Sequence, residues 1–232
     1  MLYLTPNWPA PLQVKAYTTL RNSWGEGYPE DHQERDKLKT ILSLPEEPLW
    51  VKQTHSTIVL EALAENKNHI ADATYTTQTN RVCVVLTADC LPLLICNQKG
   101  TYVAAIHAGW RGLANGIIEN TLTTLGLPAN ELMVWLGPAI GATKFEVGND
   151  VYEAFTATNP ESNRAFTSTK KDKWLADLYS LAKIRLTSFG ITQIYGGNFC
   201  TYTQNELFFS YRRDKSPTGR MASLIWIAPE KL

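Results

Sequence analysis

The chain has 232 residues, with 22 Lys plus Arg against 22 Asp plus Glu and four His, so its formal net charge is zero. A chain without cationic excess has no bulk charge with which to hold a polyanion, which argues against nucleic acid and anionic membrane surfaces as partners. With 44% hydrophobic and 19% charged residues the composition is globular, and a chain of this size can bury about 70% of its unfolded surface without covalent staples.

The longest apolar runs, such as Val82 to Leu86 and Leu224 to Ala228, are far shorter than the roughly 20 residues of a membrane helix. The first ten residues contain Pro6, Asn7 and Pro9 and lack a cationic segment followed by an apolar one, so a cytoplasmic location is expected. Cys83, Cys90, Cys96 and Cys200 lack the density and spacing of a secreted disulfide framework and are read as reduced thiols. No repeat, low-complexity tract or Gly/Ser linker divides the chain, so residues 1–232 are read as one domain.

In chain order, Asp31 to Leu42 has Leu38, Ile41 and Leu42 at helical spacing before Pro45 and reads as a surface helix. Pro48 to Thr54 reads as a strand. Val82 to Thr87, Leu91 to Cys96 and Thr101 to Ile106 are three apolar runs read as neighbouring buried strands, the last two joined by a turn at Asn97 to Gly100. The glycine-punctuated segment after His107 leads into a helix with Leu113, Ile117, Thr121 and Leu125 on one face, closed by Gly126. Leu132 to Leu136 reads as a strand and Asp150 to Thr156 as a short helix. Leu175, Leu178, Ala182 and Leu186 form a later helical stripe stopped by Gly190, and Gln193 to Tyr195, Leu207 to Tyr211 and Ala222 to Ile227 read as closing strands. The class is mixed α and β.

Only four histidines are present, and His55 and His107 each follow a strand-like run, as does Cys90. Side chains at strand ends can converge on one rim of a sheet, where loops build sites on a rigid scaffold. Two imidazoles and one thiolate suit a borderline-soft divalent ion such as Zn²⁺ and leave a tetrahedral position open for chemistry. The long spacings match no short zinc-finger pattern, so other readings stand beside this one. A histidine at a strand end is more often simply hydrogen-bonded or exposed. Cys90 can be a small buried hydrophobe, as Cys83 and Cys96 inside apolar runs are expected to be. It can also be a thiol nucleophile activated by a neighbouring base. Gly109 to Gly112 offers backbone amides and the Arg111 guanidinium to a phosphate or carboxylate, although such a turn is more often a tight connection. Arg212 and Arg213 offer a second anion contact or a solvated end. His32 and His69 read as surface residues.

At Thr87-Ala88-Asp89-Cys90-Leu91-Pro92-Leu93-Leu94 and Ile106-His107-Ala108-Gly109-Trp110-Arg111-Gly112-Leu113 the sequence closely resembles the YfiH-like, or laccase-domain, family. Further matches are Gln53-Thr54-His55-Ser56, Ala71-Asp72-Ala73, Gly137-Pro138-Ala139-Ile140-Gly141 and Phe209-Ser210-Tyr211-Arg212-Arg213-Asp214. The likeness runs from about Pro48 to the C-terminus, whereas Leu20-Arg21-Asn22-Ser23-Trp24-Gly25 departs from the family's glycine turn. The resemblance implies an α+β, four-layer α/β/β/α sandwich with mixed sheets and a zinc site at His55, Cys90 and His107. Cys90, His107 and Arg111 are then expected to be catalytic, and Gln53, Asp89, Arg212 and Arg213 to bind substrate, with a supporting or capping role as the alternative for Asp89.

Family members are linked to phosphorolysis of adenosine, inosine and S-methyl-5′-thioadenosine, to adenosine deamination and to peptidoglycan editing, and were first labelled copper polyphenol oxidases. Four histidines cannot build a multicopper centre, so the laccase reading ranks last. The expectation is a zinc-dependent purine nucleoside phosphorylase with companion adenosine deaminase activity, whose partners are the nucleoside and phosphate. A Cys-His hydrolase is the alternative. Neither His55 nor His107 begins the zinc deaminases' His-x-Glu motif, and the His32-Gln33-Glu34 match falls in the surface helix, so no proton carrier is assigned, and the sequence sets no oligomeric state. Trp110, Tyr75 and Phe145 are candidates to stack on a purine.

Overall fold

Strands buried on both faces need apolar residues at every position, not at alternate ones, and the middle of this chain has that character: all seven residues of Leu91–Asn97 are buried. The computed structural model describes residues 1–21, 23–26 and 31–229. In chain order, β1 (Tyr3–Leu4) and β2 (Val14–Thr19) precede α1 (His32–Leu42). Strands β3 (Val59–Glu61), β4 (Ala73–Thr76), β5 (Cys83–Thr87), β6 (Leu91–Asn97) and β7 (Val103–Ala108) then lead into α2 (Trp110–Asn115) and α3 (Ile117–Leu125). They are followed by β8 (Leu132–Leu136), β9 (Glu146–Gly148), α4 (Asn149–Thr156), β10 (Phe166–Lys170) and β11 (Lys173–Ala176). The chain closes with α5 (Leu178–Ser188), β12 (Gln193–Gly196), α6 (Tyr211–Asp214) and β13 (Met221–Ile227).

A six-stranded mixed sheet has the order β12-β8-β6-β7-β4-β3, a four-stranded sheet β1-β2-β13-β5, and a small three-stranded sheet β10-β11-β9. Leu93, Ile95, Ile106 and Val134 on one face of the six-stranded sheet pack with Ile117 and Leu122 of α3 and Leu181 and Ile184 of α5. Leu94, Cys96, Ala105 and Trp135 on the other face meet Ala16, Cys83, Val85 and Ile225 of the four-stranded sheet. Beyond that sheet, Val84, Leu224 and Trp226 pack with Leu38 and Leu42 of α1. The order of layers is therefore helix, sheet, sheet, helices, the α/β/β/α architecture that the family resemblance implies. Among the described residues no helix is long and apolar enough to cross a membrane.

Several expected elements differ. Pro48 to Thr54 is not a strand but an extended segment with two isolated parallel bridges, Leu49 to Cys83 and Lys52 to Ile70. It is wedged between two neighbours, and the Gln53 side chain replaces a backbone ladder by bonding Leu86 N and O at 2.7 and 2.8 Å. The helix expected around Leu113 and Leu125 is two helices, because Gly116 turns left-handed at φ 98° between them. Leu175 lies in β11, and α5 starts only after the cap at Asp177, whose carboxylate accepts from the Tyr179 and Ser180 amides.

Leu207 to Tyr211 is not a strand either. Leu207 and Phe208 donate their amides back to Gln204 O, while the Arg213 guanidinium donates to the carbonyls of Phe208, Thr201 and Tyr202. Five planar donors let one arginine satisfy the carbonyls that a sheet would otherwise pair. Asp214 steadies this clamp through Arg213 Nε at 2.7 Å and Arg21 Nη1 at 3.2 Å. Hydrogen bonding from Arg213, joined by the charges of Arg213 and Arg21, outweighs desolvation and holds the Asp214 carboxyl below its usual 3.8. A carboxyl lowered in the folded state stabilises above its unfolded pKa and loses that contribution as pH falls. Asp214→Asn is therefore expected to lower stability at neutral pH and to flatten the acid side of the stability curve below about pH 4, as measured by urea unfolding across pH.

Candidate metal centre

Along β7, Ile106 and Ala108 join the core cluster beneath the helices, so His107 points the other way, toward the interior between the two sheets. Its amide donates to Asp72 O at 2.7 Å, continuing the β4–β7 pairing by one step beyond Ala73 and Ile106. The side chains of this cross-strand pair then meet: His107 Nδ1 lies 2.7 Å from Asp72 Oδ1. An ionised carboxylate can only accept, so Nδ1 carries the proton and Nε2 is left free to ligate.

Asp72 is fully buried and serves the other histidine as well. Its oxygens accept from three successive amides, Thr54 at 3.1 Å, His55 at 3.0 Å and Ser56 at 2.7 Å, and from Ser56 Oγ at 2.7 Å. His55 stands at φ 62°, a left-handed conformation uncommon outside glycine, and these bonds hold it there. Burial alone would raise the Asp72 carboxyl, but the bonds from His107 and Ser56 and the charge of His107 more than reverse this, taking it down to about 2.

The ligand atoms of His55, Cys90 and His107 all lie within 4.8 Å of one another. Cys90 Sγ is 3.6 Å from His55 Nε2, and the two imidazole rings meet edge to face at 4.8 Å between centroids. Burial opposes charge on Cys90 and His107, yet their mutual attraction draws the thiol down and the imidazole up, with Asp72 assisting the latter. Cys83 and Cys96 form the contrast, since burial pushes both thiols up to about 12. The donor set of two imidazole nitrogens and one activated thiolate fits a borderline-soft divalent ion with one position open.

Gly109 completes the cradle. A Cβ there would stand 2.8 Å from His55 Nε2 and 3.2 Å from Cys90 Sγ, so only glycine lets the chain pass so close behind the ligands.

The triad lines a cavity of about 940 Å³. Arg111, exposed on the first turn of α2, stacks over Trp110 at 4.3 Å, and Arg212 stacks over Phe145 at 5.4 Å while donating to Glu146 O. All four line the cavity. Gln53 also lines it, with its amide engaged by Leu86. Asp89 lines it too, at φ 90°, with one carboxylate oxygen accepting from Thr201 Oγ1 and the other from Arg212 N, each at 2.6 Å. This tie joins the turn carrying Cys90 to the helix carrying Arg212. Arg213 is the clamp described above and does not line the cavity, and Tyr75 packs against the core instead. His32 and His69 are exposed. In the divergent N-terminal segment, Trp24 is buried and stacks on Trp50, while residue 22 lies outside the described residues.

Residues 25–228 match the family model described as multi-copper polyphenol oxidoreductase laccase. Over 240 residues, covering 97% of this chain and 98% of the relative, the chain is 45% identical to the Escherichia coli (strain K12) protein named purine nucleoside phosphorylase YfiH. The chain belongs to the YfiH-like, laccase-domain family. Another YfiH-like relative, from Pseudomonas aeruginosa and named purine nucleoside phosphorylase PA4543, is 43% identical over 239 residues, 97% of this chain and 98% of its own. The crystal structure of Neisseria meningitidis protein NMB0706 superposes with a TM-score of 0.93 at 43% identity, covering 99% of this chain and 100% of that one. YlmD from Geobacillus stearothermophilus shares the YfiH-like fold, with a TM-score of 0.90 at 24% identity over 99% of this chain and 97% of its own.

The role of Asp72 is the main feature that the residues alone did not disclose, although a lone acid between Ala71 and Ala73 at the start of the strand-forming run Thr74-Tyr75-Thr76 is a signal of a buried, paired charge. Asp72→Asn keeps the shape but places an amide against the donors of residues 54 to 56, and is expected to weaken the affinity of the triad for an added divalent ion about 10- to 100-fold, read by competition with a chromogenic chelator. Gly109→Ala is expected to lower the affinity through displacement of His55, with far-UV circular dichroism unchanged.

Proposed function

We propose that the chain is a zinc-dependent purine nucleoside phosphorylase that also deaminates adenosine and acts in the cytoplasm. Its substrates would be adenosine, inosine or S-methyl-5′-thioadenosine together with phosphate. The observation that carries this reading is the placement of the His55, Cys90 and His107 donors in the wall of a cavity that also presents arginines and aromatic faces. The names of the similar proteins support the purine nucleoside phosphorylase part of this reading. The ligand count does not fit a multicopper centre, since His55 and His107 are the only histidines beside the cavity.

Zinc held by these three residues would supply Lewis acidity beside the reacting carbon. Arg111 and Arg212 bind and orient the phosphate, the planar fork of a guanidinium matching two of its oxygens. Trp110 and Phe145 give flat apolar walls to the purine and exclude water from the ribose face. A phosphate oxygen then forms a bond to C1′ as the C1′–N9 bond breaks, the electron pair leaves with the base, and the phosphate proton passes to the purine. The products are the free base and ribose 1-phosphate. Through this cycle Asp72 keeps the His107 proton on Nδ1. Deamination needs a water oxygen to add at C6 with loss of ammonia.

A second reading rests on the arrangement of Cys90, His107 and Asp72, with the Cys90 and His107 ligand atoms within 4.8 Å and His107 bonded to Asp72, which has the order of a nucleophile, base and orienting acid. In it Cys90 attacks an amide or ester without a metal. Incubation of purified protein with adenosine or inosine separates the two. Release of base that requires phosphate, disappears on chelation and returns with zinc is the outcome expected of the phosphorylase. Cys90→Ala should reduce turnover at least about 100-fold. Full activity in chelator without stoichiometric metal, or base release independent of phosphate, would remove it.

A further inference from the structure

The cavity wall carries six cations and one acid, Asp89, whose two oxygens are already engaged. Three of the cations have partners: Arg35 with Glu47, Arg212 with Glu146 O, and Arg220 with the carbonyls of Thr218 and Gly219. Arg111 stands beside the triad. Lys52 and Lys67 are the remaining two, both exposed and, among the described residues, without an ion pair or side-chain hydrogen bond.

Their position follows from the backbone. The segment that carries His55 runs beside residues 68 to 72, with Asn68 N donating to Trp50 O, Lys52 N to His69 O and Ala71 N to Lys52 O. One end of this pairing is fixed by Asp72 under His55, and the rest of it carries Lys52 and, about three residues further along, Lys67, both of which line the cavity. Three residues of extended chain separate Lys52 from His55, roughly 10 Å at 3.3 Å per residue. The cavity of about 940 Å³ lies at the upper end of the range for small-molecule sites and is lined both by the triad and by this pair.

A phosphate co-substrate engages the arginines near the triad and leaves these two lysines uncompensated. We propose that Lys52 and Lys67 form a second anion subsite that takes a phosphate group attached to the 5′ position of the bound purine nucleoside. The inference rests on the phosphorylase reading for the identity of the nucleoside. The base and the ribose hydroxyls are neutral, so the 5′ carbon is where such a nucleoside carries a second anion. The subsite extends the accepted ligands to 5′-phosphorylated purine nucleosides.

Calorimetric titration of the metal-loaded protein in phosphate-free buffer tests this, with adenosine 5′-monophosphate and neutral 5′-deoxyadenosine as paired probes. Wild type is expected to bind the monophosphate about ten-fold more tightly, the gain of two solvent-accessible lysine–phosphate pairs, and the ratio should shrink as salt is raised. In Lys52→Gln/Lys67→Gln the ratio should fall to near one. Equal affinities in wild type, or a ratio that survives the double substitution, overturns the proposal. Inorganic phosphate titrated alone is the third probe: if the double variant loses a phosphate site while the monophosphate has no advantage in wild type, the lysines bind free phosphate and the 5′ assignment is wrong. Failure of the phosphorylase reading is seen separately, as absence of base release from adenosine and phosphate.

Discussion

A carboxylate removed from water must be surrounded by donors or it will not stay ionised. Asp72 meets that condition with three amides, one hydroxyl and one imidazole. The consequence is mechanical as much as electrostatic. The amides belong to the turn that presents His55, and the imidazole is that of His107, so one anion fixes two side chains that arrive from different parts of the chain. Shifting its register against β7 by one residue would turn Asp72 toward the helices and leave both histidines without their anchor. The packing of β4 against β7 therefore sets the geometry of the ligands.

The two-sheet packing explains why this register is well defined. Leu94, Ala105 and Trp135 on the inner face of the six-stranded sheet are matched by Val85 and Ile225 opposite, and neither sheet can slide without exposing apolar surface on one side or opening a void on the other. His107 and Asp72 stand at the end of this interior, where the apolar contacts stop and the cavity begins. A polar pair at that boundary has a rigid floor beneath it and room for a ligand above it, a placement that suits preorganised ligation better than a loop would.

How much of this was legible in the sequence depended on the range of the interaction concerned. His55, Cys90 and His107 could be picked out because each falls near the end of an extended run, a local property. The buried strands could be named because β-branched and apolar residues cluster in them. Their assignment to two stacked sheets could not be read from periodicity, since strands covered on both faces show no alternation, and that expectation came from family resemblance. Leu207 to Tyr211 looked like a strand because apolar and aromatic residues cluster in it, but Leu207 O accepts from the Arg21 amide and Phe208 O from the Arg213 guanidinium, so no ladder forms. Asp72 depends on a cross-strand neighbour, and Gly109 on the approach of His55. Both are long-range facts that a one-dimensional pattern does not contain.

Net charge also conceals an arrangement that only the fold reveals. The chain as a whole is neutral, yet the cations of the cavity wall face one carboxylate that is already hydrogen-bonded. A divalent ion at the triad would bring two positive charges, and the Cys90 thiolate with Asp72 behind His107 supplies two negative ones, so the centre is formally balanced by its own supports. The charge of the surrounding arginines and lysines is then left for the ligand. In a cleft with apolar walls such charge is focused rather than screened, and it favours a reactant that arrives as an anion. A neutral ligand alone would leave all of this charge uncompensated, whereas one accompanied by phosphate would answer the arginines beside the triad, and for that reason the lining favours the proposed transfer to phosphate over hydrolysis.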